Sequence, residues 1–129
     1  MKHLHKSIYR TLLVFYTVSV LVVSVVPLSS PSASLNSITL LSLRLDYLLH
    51  ALVFIPLIPL WKLTWPKHRL WLILPAGLLI AAAAEWVQLF LPYRAYNIND
   101  LLGNALGVLI GALLVRFLPM RVSVVSMLL

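Results

Sequence analysis

The chain has 129 residues, is 62% hydrophobic, and carries 10 basic against 3 acidic side chains, for a net charge of +7. A soluble domain has about a quarter of its residues charged, against 10% here, and the mean hydropathy of +1.02 excludes a water-soluble globule. A bilayer span takes about 20 apolar residues, so residues 1–129 read as one integral membrane domain of four helices, with no room for a nucleotide-binding fold or a separate soluble unit.

The first predicted helix runs over about 8–27, and no charge falls between Arg10 and Arg44. Lys2, Lys6 and Arg10 ahead of it, with the small residues Ser30 to Ala33 behind, have the outline of a signal peptide. The apolar run is too long for an h-region of about 15 residues, and Pro31 spoils the nearest cleavage sites, so a transmembrane helix is the better reading. Ser29 to Ser37 reads as a loop. The second helix covers about 45–62, with Pro56 and Pro59 expected to end or kink it. The third covers about 70–91 and holds one acid, Glu85. The fourth covers about 100–118, with Asp100 at its start and Asn99 as a candidate N-cap. No segment alternates at period two as barrel strands do. The fold class is therefore all-α, a compact polytopic bundle.

The basic residues orient it. With the amino terminus in the cytoplasm, Lys2, Lys6, Arg10, Lys62, Lys67, Arg69, Arg116 and Arg121 all fall inside, unaccompanied by any acid. Outside are Arg44 and Arg94 with Asp46, Glu85 and Asp100. This split obeys the positive-inside rule and predicts a cytoplasmic (inner) membrane protein with both termini in the cytoplasm. The pI near 10.3 is then loop charge, not a nucleic-acid footprint. Trp61, Trp65 and Trp71 flank the inner loop, where interfacial aromatics belong. His3, His5 and His68 lie in basic inner segments and read as solvated.

That topology gathers the polar residues at the outer end. Asp46 and His50 share a face of the second helix at i, i+4. Glu85 and Gln88 sit in the outer half of the third, Glu85 about 10 Å below its end at 1.5 Å per residue. Arg94 follows in the short loop Pro92 to Asn99, and Asp100 and Asn104 are one turn apart on the fourth. Bland roles exist for several of these. Asp46 and Asp100 complement helix dipoles; His50, Gln88 and Asn104 can bridge helices by hydrogen bonds; Arg94 can anchor in the interface. Glu85 is mid-helix and far from any terminus to cap. A charge at such depth costs several kcal/mol and marks a functional candidate, with a structural Glu–His or Glu–Arg pair as the alternative. Gly103, Gly107 and Gly111 form two overlapping small-xxx-small motifs that invite a close helix neighbour. Ala81 to Ala84 of the third helix are the expected partner within the chain, and a second copy is the alternative, as a homo-oligomer.

The ordered pattern Asp46-x-x-x-His50, Glu85-x-x-Gln88 and Arg94-x5-Asp100-x-x-x-Asn104-x-x-Gly107-x-x-x-Gly111 resembles the VanZ-like membrane protein family. The stretch from Asp46 to Gly111 carries the resemblance. It implies a small multi-pass protein of the cytoplasmic membrane, in a family whose founding member is linked to reduced teicoplanin susceptibility. That family often has Lys directly after the first Asp, where this chain has Tyr47.

The expected function is an outer-leaflet site that binds or acts on a lipid headgroup or a lipid-linked cell-envelope molecule. Glu85 and His50 would serve as general base and acid, with Asp46 and Asp100 completing the acidic set. Arg94, with Arg44, would hold phosphate or carboxylate, and Gln88 and Asn104 would line the same site. A non-catalytic binding or shielding protein uses the same cluster without proton transfer. A metal-assisted hydrolase would draw on Asp46, His50, Glu85 and Asp100, but no HExxH motif or His pair supports it, and no metal or cofactor is expected. A solute or proton carrier would need polar groups through the inner half, where almost none occur. With no cysteine, disulfides, thiolate zinc sites and Cys nucleophiles are excluded.

Overall fold

A computed structural model describes residues 2–26, 39–40, 43–93 and 96–118. Helix α1 (Lys2–Val25) contains no Gly or Pro, and at 1.5 Å per residue it is long enough to cross a bilayer core of about 30 Å. Its many β-branched residues are mediocre helix formers in water. In lipid the backbone must satisfy its own hydrogen bonds, which overrides that preference. The expected loop of Ser29 to Ser37 lies outside the described residues.

A short antiparallel pair, β1 (Thr39–Leu40) and β2 (Leu43–Arg44), sets Thr39 opposite Arg44 and leads directly into the second span. Two-residue strands leave no alternation to detect, and none was expected here. The second span, Leu45–Thr64, is broken into α2 (Leu45–Phe54) and α3 (Leu57–Thr64). Pro56 stands at the break as N-cap of α3, and Pro59 lies in its first turn, where a missing N–H costs little. The Tyr16 hydroxyl of α1 donates to the Val53 carbonyl beside this interruption.

Helix α4 (Leu70–Trp86) accommodates Pro75 in its interior. It then tightens into a 3₁₀ turn over Val87–Phe90, completing the third span. Helix α5 (Ile98–Phe117) is the fourth. All four spans are long and apolar enough to cross a membrane. Arg10 stands over the Trp65 ring at one end of the bundle, and Tyr93 donates to the Val25 carbonyl at the other. Consecutive spans therefore run antiparallel. The core between them comprises Phe54, Leu57, Ile58, Ile73, Ala81, Ala84, Val108 and Ala112 with Leu13 of α1. Large apolar side chains such as Phe15, Leu79 and Phe117 remain exposed around the outside, as lipid-facing residues do.

The glycine face of α5 meets a different helix from the one expected. A Cβ on Gly103 would come 2.9 Å from the Tyr47 carbonyl oxygen, and one on Gly107 would run into the carbonyl of Ala51. Gly111 faces the carbonyl of Ile55 in the same way. Three glycines four residues apart thus lie on a row of three carbonyls of the second span, also four apart. This geometry places Cα–H groups against backbone oxygens. Pro59 has no N–H to offer the Ile55 carbonyl four residues earlier, which is one reason that oxygen can point outward at Gly111. Ala81 and Ala84 of α4 are buried in the common core and do not line the glycine row. The face considered for a second copy is occupied within the chain.

Candidate functional site

The site is built where α2 and α5 begin and α4 ends. Asp46, in the first turn of α2, is half-buried, and His50 follows one turn deeper. Asp100 occupies the first turn of α5, with Asn104 one turn on. Two helix N-termini converge here, so their partial positive charges favour the carboxylates gathered around them. Glu85 arrives from α4 with 0% exposure. Gln88 is buried in the 3₁₀ turn that follows.

A run of polar contacts links these helices. The Nδ1 of His50 lies 2.9 Å from Oδ1 of Asn104, and its Nε2 lies 3.8 Å from Oδ2 of Asp100. An amide oxygen only accepts, so this contact is a hydrogen bond in the tautomer that carries its hydrogen on Nδ1, which leaves Nε2 facing Asp100. The other Asp100 oxygen, Oδ1, accepts from Nδ2 of Asn97 at 3.1 Å. The backbone N–H of Asn97 donates to Oε1 of Glu85 at 3.3 Å. Glu85, Asn97, Asp100, His50 and Asn104 therefore form one polar chain across three spans. Beside it, the Asn99 amide donates to the Tyr47 hydroxyl at 3.3 Å. Tyr47, the residue that departs from the resemblance, thus ties α2 to the first turn of α5.

Asn97 is the member that sequence reasoning missed. It is the N-cap of α5, its Oδ1 accepting from the Asn99 N–H at 3.0 Å, and so displaces Asn99 from that expected role. The signal was present in Asn97-Ile98-Asn99-Asp100, a capping residue three before an acid. The helix starts two residues earlier than the apolar pattern suggested.

Of the expected site residues, the structure brings together Glu85, His50, Asp100 and Asn104. Asp46 sits one turn from His50, and Gln88 is buried one 3₁₀ turn from Glu85. Arg94 lies outside the described residues, as does the side chain of Arg44. Among the described residues no three of His, Asp or Glu assemble into a group that could hold a metal ion.

A multi-pass α-helical membrane protein with a buried acid–histidine–amide network at one end is the class that this fold and site define. The family model VanZ/LLP1 matches residues 5–119, nearly the whole chain, and the chain belongs to that family. No curated protein and no solved structure matches it.

Proposed function

We propose that the acid end of the bundle faces outward from the cytoplasmic membrane and engages the polar head of a lipid or lipid-linked cell-envelope molecule. The observation that carries this reading is the polar chain from Glu85 through Asn97 and Asp100 to His50. A carboxylate buried among apolar spans costs several kcal/mol, and the fold holds this one against a cap shared with a second acid and a histidine. The excess of basic residues at the opposite end supports the orientation, with both termini in the cytoplasm.

In this reading Arg94, with Arg44, binds the phosphate or carboxylate of the head. His50 acts as the acid, with Asp100 facing its Nε2. Glu85 acts as the base, with Asp46 adding negative charge at the outer end. Gln88 and Asn104 complete the polar lining. The link to lowered teicoplanin susceptibility would follow if the molecule engaged is an envelope precursor. Photo-crosslinking from position 96, beside the Arg94 loop, should recover an envelope lipid. Recovery of protein neighbours alone overturns the reading.

The second reading is a non-catalytic protein that binds and shields the same head without proton transfer. The fully hydrogen-bonded setting of Asn97 favours it, because such a network is as suited to rigidity as to chemistry. Glu85→Gln, which removes the titratable carboxyl and keeps an accepting oxygen, separates the two. A metal-assisted hydrolase would need more donors than the pair of His50 and Asp100 that lies close among the described residues.

A further inference from the structure

We propose that the opposite, basic end holds a single anionic phospholipid in the cleft between α1 and α3, with its phosphate on Arg10. The cleft has a volume of about 260 Å³ and is lined by Leu13, Val14, Thr17, Val18, Trp61 and Trp65. Its walls are apolar, and the Trp61 N–H is directed away to Nδ1 of His68 at 3.3 Å. Val14 and Val18 also border an open stretch of the α1 surface with Arg10, Thr11 and Phe15. One acyl chain of the lipid fits the cleft, the second lies on that open surface, and the head falls at Arg10, over the Trp65 ring.

The rim is built rather than loose. Lys62 donates through Nζ to the carbonyls of Pro66 at 2.6 Å and His68 at 2.7 Å, tying the loop down. The His68 ring stacks on Trp65 with centroids 5.6 Å apart and planes 8° apart. Arg10 stands 5.9 Å from the centroid of the same Trp65 ring. A guanidinium over an aromatic face is held by cation–π attraction while its N–H edge stays available to phosphate.

Charge selects the head. Arg10, Lys67 and Arg69 are exposed at this end, and all three acids of the chain are in the other half of the bundle's length. A zwitterionic head would bring its own ammonium against these cations, whereas an anionic head meets none of its own sign. The cleft opens on the side of α1 that carries exposed Val14 and Val18, the side that faces lipid in a membrane. Acyl chains are therefore the matching occupant.

The test uses the full-length protein in detergent, with phosphatidylglycerol or phosphatidylcholine of identical chains added. Retained lipid is counted by native mass spectrometry, and melting is followed in parallel. Wild type should retain phosphatidylglycerol in preference and melt higher with it. Arg10→Gln should reduce that preference about fivefold, which corresponds to roughly 1 kcal/mol for one basic residue at an anionic membrane surface. Lys67→Gln with Arg69→Gln should keep most of it. Val18→Trp, which fills the cleft, should lower retention of both lipids. Equal retention of the two lipids by wild type overturns the proposal, as does an undiminished preference in Arg10→Gln. An equal loss in the Lys67 and Arg69 variant would show diffuse attraction to a basic surface and overturn it too.

Discussion

The backbone N–H of Asn97 donates to Oε1 of Glu85, so the residue that caps α5 is held by the buried acid of α4. In an ordinary capping box the acid at the third helical position returns to the N-cap N–H. Asp100 holds that position here, but Glu85 takes the N–H instead. Asp100 is left to accept from the Asn97 side chain and to face His50. Where α5 starts and how Glu85 is accommodated are consequently a single structural fact.

Asn97→Ala should lower the melting temperature by the equivalent of about 0.5–2 kcal/mol, the usual value of an N-cap. Asn97→Ser, which keeps an accepting oxygen for the Asn99 N–H, should recover most of that loss. Asn97→Asp keeps the cap but sets a third carboxylate between Glu85 and Asp100, and should be less stable than the Ser variant at neutral pH. Thermal melts of the three variants in one detergent decide it. Equal stability of all three would remove Asn97 from the network.

Glu85→Gln distinguishes proton transfer from structural pairing. Glutamine retains an oxygen for the Asn97 N–H but cannot titrate. A catalytic Glu85 predicts a fall in activity of roughly 10² to 10⁴-fold with folding and ligand binding kept. A purely structural Glu85 predicts changed stability, with function lost only in proportion to folded protein. The paired measurement is melting temperature together with turnover of the envelope lipid that crosslinking from position 96 recovers. Undiminished function in a stable Glu85→Gln protein rules out the catalytic role.

Gly107→Ala should destabilise the bundle by about 1–3 kcal/mol, the range for overpacking a tight interior. The added methyl meets the backbone carbonyl of Ala51, not its side chain. Ala51→Gly should therefore fail to rescue it in a double mutant, since every residue carries that oxygen. Full rescue in a melting experiment would show that the obstruction is a side chain.

Because the chain contains no cysteine, single cysteines report topology on a clean background. Tyr96→Cys should react with an impermeant maleimide applied from outside intact cells, and Lys67→Cys only after lysis. Both positions reacting from one side would contradict the antiparallel spans. The reverse assignment would keep the fold but place the acid end in the cytoplasm.

The four spans and the clustering of Asp46, His50, Glu85, Asp100 and Asn104 at one end were legible in the amino-acid sequence. A bilayer requires long uninterrupted apolar runs, and in alternating spans the position of a residue along its run sets its end of the bundle. The break at Pro56 was legible too, because proline acts on its own backbone and that of its immediate neighbours. What the glycines of α5 face was decided only by tertiary structure. The alanine run of α4 and the carbonyl row of the second span are both smooth enough to admit a close neighbour, and the choice depends on how all four spans share the core. Asn97 escaped for a related reason. Its cap is local, but its importance comes from an N–H directed at Glu85 of another helix. Spacing along one helix reveals which residues share a face; which backbone group lies opposite that face is settled only when the helices pack.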